Sequence, residues 1–292
     1  MYELIQLSEH DYYIDCPAKI GLIKTGENEA VLIDSGSDKD VGKKVFRILE
    51  DKGWALKAIF NTHSHADHIG GNRFLQEKTG CKIYAKGMEC VYSNSPILEP
   101  IGLYGGLPFK DLKHKFLLAQ ESTVLPLTEE VLPAGMKLLC LPGHCFDMVG
   151  FLTADGTAYI ADCVSSEETL AKYGIGYNWD ISAALSTLEY IKTISAEKFV
   201  PAHAPVCESI FELADINIKA INNVTEKIID LCREPISFEE LLKNIFDSYS
   251  LTMNAQQYVL IGSTIRSYLS ALYDSGKISF EFSENKMLWK TF

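Results

Sequence analysis

Lys57-Ala58-Ile59-Phe60-Asn61-Thr62-His63-Ser64-His65-Ala66-Asp67-His68-Ile69-Gly70-Gly71 decides the reading of this chain. Lys57–Asn61 has the pattern of a buried strand, and it runs straight into four candidate metal ligands, His63, His65, Asp67 and His68. A turn at a strand end can splay such side chains toward two nearby points. Neutral imidazole and carboxylate suit Zn²⁺, Fe or Mn. None of the four is cheap to bury alone, and a metal removes that cost.

Working outward, Ala18–Lys24 and Glu29–Ser35 read as paired strands turned by Gly26, Glu27 and Asn28. Val41, Val45, Ile48 and Leu49 recur at helical spacing before Gly53, placed as a C-cap, and a second helix is expected to end at Gly80. Strand signals return at Met136–Leu141, Met148–Thr153, Thr157–Ala161 and Lys198–Ala202. A helix is predicted from Asp180, with Ile181, Leu185, Leu188 and Ile191 on one face. Three further ligand candidates close or follow these strands: His144, Asp162 and His203. A single histidine at a strand end is ordinarily a hydrogen-bonded residue. Here five of the seven histidines share the placement, and strand ends on one sheet edge converge.

The set HSHADH at 63–68, LPGHCFDMVG around His144, YIADC around Asp162 and PAHAP around His203 resembles the motif series of the metallo-β-lactamase superfamily, over about residues 15–210. The resemblance implies an α+β fold, an αββα sandwich with the metal site at one sheet edge. It further implies that His63, His65 and His144 hold a first metal, that Asp67, His68 and His203 hold a second, and that Asp162 bridges them. Asp34, in VLIDSG, would orient a ligand through hydrogen bonds. Cys145 and Cys163 flank ligands. Because neighbours on an extended chain point oppositely, both read as packing residues.

Two divalent ions, Zn²⁺ first with Fe or Mn as alternatives, about 3.5–4 Å apart would lower the pKa of a shared water toward 7 and polarise a carbonyl or phosphoryl oxygen. Asp67 is the catalytic candidate for steering that hydroxide and shuttling its proton. The expected activity is hydrolysis of a small ester, thioester, lactone or phosphoester. An endoribonuclease or other phosphodiesterase is the second reading, and a mononuclear iron oxygenase of the same fold the third. His65 stands where redox relatives of this fold carry glutamate, which favours hydrolysis.

Residues 211–292 form the second expected domain, after a catalytic domain at 1–210. Helical periodicity over 208–231 gives way at Pro235, Ser237 and Glu240 form a capping-box pattern, and a helix over about Ala255–Ser275 precedes a hairpin at Lys277–Phe282 and Lys286–Lys290. This is winged-helix-like. Residues 231–292 carry six cationic against seven anionic side chains, and the whole chain has a net charge of −12, so nucleic acid is a disfavoured partner. The tail reads instead as a packing or homodimerisation element. Eight cysteines without a CxxC pair point to reduced thiols and a cytoplasmic setting. Neither a signal peptide nor a membrane span is expected.

Residues 92–133 hold five of the ten prolines and read as a lid-like insertion. Tyr104, Leu107 and Phe109 would wall a substrate. Lys110, His114 and Lys115 would meet an anionic group, with Tyr173 and Tyr177 on the opposite side.

Overall fold

A computed structural model describes residues 2–292. The first sheet runs in sequence order: β1 (Glu3–Gln6), β2 (Asp11–Asp15), β3 (Ile20–Gly26), β4 (Glu29–Ile33), β5 (Ala55–Phe60), β6 (Lys82–Ala85) and β7 (Val124–Pro126). Its opening hairpins are antiparallel, whereas β4 through β7 pair in parallel. The second sheet has the order β11 (Lys198–His203), β10 (Thr157–Ser165), β9 (Val149–Leu152), β8 (Lys137–Cys140), with β10 and β11 parallel.

Alternation along the strands divides the interior. Leu22, Leu32 and Ile59 face α1 (Lys39–Lys52) and the helix after the ligand turn, burying Val41, Val45, Leu49 and Leu75 against them. Their neighbours Ile23, Val31 and Phe60 point the other way, onto Val149, Phe151 and Tyr159 of the second sheet. That period of two puts an apolar layer between the sheets. The outer face of the second sheet buries Ala158 and Ile160 beneath α7 (Ile181–Ile191), α8 (Phe211–Leu231) and α10 (Ala255–Asp274). Helices thus cover both faces of a two-sheet sandwich, the expected αββα architecture.

The shorter helices are α2 (Ala66–Ile69), α3 (Asn72–Thr79), α4 (Gly87–Asn94), α5 (Leu98–Tyr104), α6 (Glu167–Tyr173) and α9 (Phe238–Ser248). Local signals set many of the boundaries. Gly53 and Gly80 end α1 and α3 in the left-handed conformation, Asp180 caps α7, and the Ser237–Glu240 capping box is reciprocated at α9. A terminal hairpin, β13 (Ile278–Ser283) with β14 (Lys286–Thr291), is joined by the two-residue β12 (Ile236–Ser237). One buried cluster runs without a break from Leu139 of the second sheet to Ile278 of the hairpin. No helix among the described residues is long and apolar enough to cross a membrane.

The 92–133 excursion is more ordered than its prolines suggest. Pro100 sits in the first turn of α5, where a proline breaks no helical hydrogen bond. Leu103, Leu112 and Leu117 bury against Val259, so the excursion is docked on α10.

Candidate metal centre

The parallel pairs β4–β5 and β10–β11 bring their C-terminal ends to one edge of the sandwich. Asp34 follows β4, the His63–His68 turn follows β5, Asp162 lies within β10, and His203 closes β11. His144 arrives on the loop between β8 and β9. The ligand turn itself is pressed against the loop after β4. A Cβ on Gly70 would stand 2.2 Å from the Ser37 carbonyl oxygen, and one on Gly71 would stand 2.3 Å from that of Ser35. Only glycine permits this approach, so the two glycines fix where the turn sits.

All seven residues read from the sequence converge. His65 Nδ1 is 3.2 Å from His63 Nε2 and 3.0 Å from His144 Nε2. Beside them, Asp162 presents Oδ1 at 3.1 Å from His68 Nε2 and Oδ2 at 3.2 Å from His203 Nε2. Asp67 Oδ2 lies 3.3 Å from His203 Nε2 and 3.7 Å from His68 Nε2. Asp162 Oδ2 is also 3.6 Å from His144 Nε2, so this one carboxylate touches both groups.

The opposite ring edges show which nitrogens carry protons. His68 Nδ1 donates to Asp34 Oδ2 at 2.8 Å, His144 Nδ1 to the Tyr177 carbonyl at 2.9 Å, and His203 Nδ1 to the Pro17 carbonyl at 2.9 Å. The Thr62 hydroxyl donates to Asp34 Oδ2 at 2.7 Å and so accepts from His63 Nδ1 at 3.0 Å. With those four Nδ1 positions committed, Nε2 is in each case the nitrogen aimed inward. Asp34 also accepts from the Thr62 N–H, so one carboxylate orients two histidines. It does so from a left-handed backbone, φ 65°, which aspartate tolerates better than most residues. Ala161, just before Asp162, is left-handed as well, at a register shift between β10 and β11. Bulges of this kind re-aim side chains beside sites.

The donor set fits divalent cations. Imidazole lone pairs 3.0–3.2 Å apart repel unless a positive charge lies among them. His68 Nε2 and Asp162 Oδ1, both buried and 3.1 Å apart, make no hydrogen bond with one another or with any other described residue. A buried imidazole nitrogen and a buried carboxylate oxygen, each without a hydrogen bond and each able to offer a lone pair to one point, suit a metal position. Three overlapping groups have the spacing to hold an ion: His63, His65, His144 and Cys145; His63, His68 and Asp162; and Asp67, His68 and His203. Burial holds the His63 imidazole well below its ordinary pKa and pushes His144 down to about 4, which keeps both neutral. Burial would raise Asp67, but His68 and His203 pull its carboxyl well below the usual range.

Two carboxylates that the sequence reading missed brace this centre. Glu99 Oε1 of α5 lies 3.3 Å from His65 Nε2. Glu89 of α4, buried, accepts from the Ser64 N–H and hydroxyl at 2.9 and 2.6 Å and from the Asp147 N–H at 3.2 Å. It therefore ties the His63–His68 turn to the His144 loop. Neither glutamate sits in a motif; only the tertiary docking of α4 and α5 brings them here.

The expected wall and anion contacts fall elsewhere. The helical period of α5 turns Glu99, Gly102 and Leu103 toward the cavity beside His65. Tyr104 and Phe109 meet edge to face at the surface, ring centres 5.5 Å apart, and Lys110 is exposed. His114 packs on Phe116, and Lys115 pairs with Asp38 at 3.0 Å. Tyr177 does face the centre, its ring edge-on to His65 and His144 at 5.3 and 5.4 Å. Cys145 packs in the core, as expected, but also touches the centre. The chain at 144–145 is not a strand, so alternation does not apply, and the Cys145 thiol lies 3.3 Å from His65 Nε2.

Residues 13–203 match the metallo-beta-lactamase superfamily, and the match ends on His203. The chain belongs to that superfamily. Among relatives of this superfamily member, a protein named hydroxyacylglutathione hydrolase from Methylococcus capsulatus is 44% identical over 162 residues, covering 55% of this chain and 52% of the relative. A beta-lactamase-like protein 2 homolog from Drosophila melanogaster is 26% identical over 207 residues, 68% of this chain and 63% of the relative. The chain thus spans less than two thirds of each. The crystal structure of a beta-lactamase domain protein from Burkholderia ambifaria superposes with a TM-score of 0.74 at 14% identity, over 99% of this chain and 94% of that one. At that identity the likeness speaks for the fold, here with the C-terminal helices included.

Proposed function

We propose that this metallo-beta-lactamase superfamily member is a binuclear metal-dependent hydrolase of a small carbonyl substrate, a thioester, ester or lactone. The carrying observation is Asp162, whose two oxygens face His68 on one side and His203 and His144 on the other. His63, His65 and His144 would hold one ion, Asp67, His68 and His203 the second, and Asp162 would join them. Two zinc-like ions, when bound, supply an acidified water and a Lewis-acidic seat for a carbonyl oxygen.

The chain's own residues supply the rest. His63 and His68 are fully buried and fixed, whereas the side chains of Asp67 and His203 are 41% and 27% exposed, so substrate and water enter from their side. Asp67 is the group placed to take a proton from water there and return it to the leaving atom. Tyr177 walls the other side, its ring edge-on to His65 and His144. The division at 210/211, with the helices beyond it as a packing or dimerising domain, belongs to the same reading.

A thioester is favoured within this class because several relatives carry the name hydroxyacylglutathione hydrolase. The test is a panel of thioester, ester, lactone and phosphodiester substrates with metal-reconstituted protein. Turnover of the carbonyl substrates, reduced about 100-fold or more by Asp67→Asn, is expected. Cleavage of phosphodiesters alone, or of nothing at full metal loading, would overturn the reading.

A further inference from the structure

The first turn of α4 is capped from a distant part of the chain. Lys86, the residue before the helix, gives it no side-chain hydrogen bond. Asp147, on the loop that carries His144, does so instead, its Oδ2 accepting from the Met88 N–H at 2.8 Å. In return Glu89, in the same first turn, accepts from the Asp147 N–H at 3.2 Å through Oε1. This is the reciprocal pattern of a capping box, with the capping residue supplied by the His144 loop.

The other oxygen of Glu89 is spent on the ligand turn. Oε2 accepts from the Ser64 N–H at 2.9 Å and the Ser64 hydroxyl at 2.6 Å, and Ser64 stands between His63 and His65. One carboxylate, only 1% exposed, thus joins the two segments that bring His63, His65 and His144 together. Burying it is offset because both oxygens accept charge-assisted hydrogen bonds. The histidines of the other cluster are aimed by different groups, His68 by Asp34 and His203 by the Pro17 carbonyl.

We propose that Glu89, together with Asp147, is the positioning element of the first ion: it sets the gap between the His63–His65 pair and His144, and so the affinity of that cluster and not of the second. The assignment rests on the binuclear reading above and deepens it. A carboxylate serves here where an amide does not, because N–H or O–H donors face both of its oxygens. Glutamine would keep one of the two links and turn its NH₂ on the other. Asp147 needs a single accepting oxygen, which asparagine also offers at a helix N-terminus.

The test is cobalt(II) binding to the chelator-stripped full chain, read by chelator competition and by the visible absorption of the bound ion, in two backgrounds. His203→Ala leaves the first cluster complete, and His144→Ala leaves the second. In the His203→Ala background Glu89→Gln should weaken cobalt about 10–100-fold and change its visible bands. In the His144→Ala background the same substitution should change affinity by less than about twofold, which also shows that the variant folds. Asp147→Ala should reproduce the first effect, and Asp147→Asn should restore the parent's binding and spectrum. Equal weakening in both backgrounds would make Glu89 a general stabiliser and overturn the proposal, as would unchanged binding in the His203→Ala background; either result leaves the binuclear reading standing. A parent chain that takes up no cobalt would overturn the binuclear reading, and the proposal with it.

Discussion

Glu99 Oε1 lies 3.3 Å from His65 Nε2, across the ring from the Nδ1 that faces His63 and His144. The carboxylate selects the tautomer, holding the proton on Nε2 and leaving Nδ1 as the inward donor. Burial lowers the His65 pKa, but Glu99 more than offsets this and raises it to about 9, so a cation binding at Nδ1 would have to displace a proton there. Because Glu99 rides on α5, which is held by α10, the excursion braces the His65 ring. Glu99→Gln should weaken metal at the His63–His65–His144 cluster by about 10–100-fold, measured by chelator competition. An unchanged affinity would show the contact to be incidental.

Asp34 is the second support, accepting from the Thr62 N–H, the Thr62 hydroxyl and His68 Nδ1. In Asp34→Asn the left-handed backbone stays tolerable, but an amide NH₂ replaces at least one acceptor in front of buried donors. Losing such partners costs about 1–3 kcal/mol each, so unfolding by urea should show a loss of about 3 kcal/mol. Metal retention at His68 should fall with it. A variant as stable and as metal-rich as the parent would remove Asp34 from the centre.

Much of this was readable in the sequence because it is local. The turn after β5 carries its ligands within one motif, and His144, Asp162 and His203 announce themselves by standing at or near strand ends. Caps at Asp180, Ser237 and Gly53 write their helix boundaries into adjacent residues. What stayed hidden depends on docking. Glu89 and Glu99 look like ordinary helical surface carboxylates until α4 and α5 are placed. Tyr104 and Phe109 look like a wall until the helical period of α5 turns Leu103 inward. Cys145 packs in the core as expected, and it also reaches His65 because the chain there is not extended and alternation does not set its direction.

Stability should carry a pH signature away from the metals. Asp11 is buried, accepts from the Thr153 hydroxyl at 2.6 Å, and leaves Oδ1 without a partner. Burial first, with the like charge of Asp155 adding, raises its pKa above the ordinary value. The native state then binds more protons than the unfolded chain between the ordinary and the raised value. This contribution is therefore fully present below the ordinary carboxylate pKa and is lost as pH rises through the raised one. Asp11→Asn should remove that loss. Urea midpoints from pH 4 to 7.5 should show the variant gaining on the parent as pH rises, and a pH-independent difference would contradict the assignment.

The central claim is two ions per chain joined by Asp162, and the direct measurement is a metal titration of chelator-stripped protein followed by elemental analysis and thioester turnover. The ligand set exceeds what one tetrahedral site can use, so activity should plateau at about two equivalents of zinc. In Asp162→Ala, retained metal and turnover should fall together, because two cations would face each other without the carboxylate between them. A parent chain that saturates at one ion, or an Asp162→Ala variant that keeps two ions and full turnover, would contradict the account.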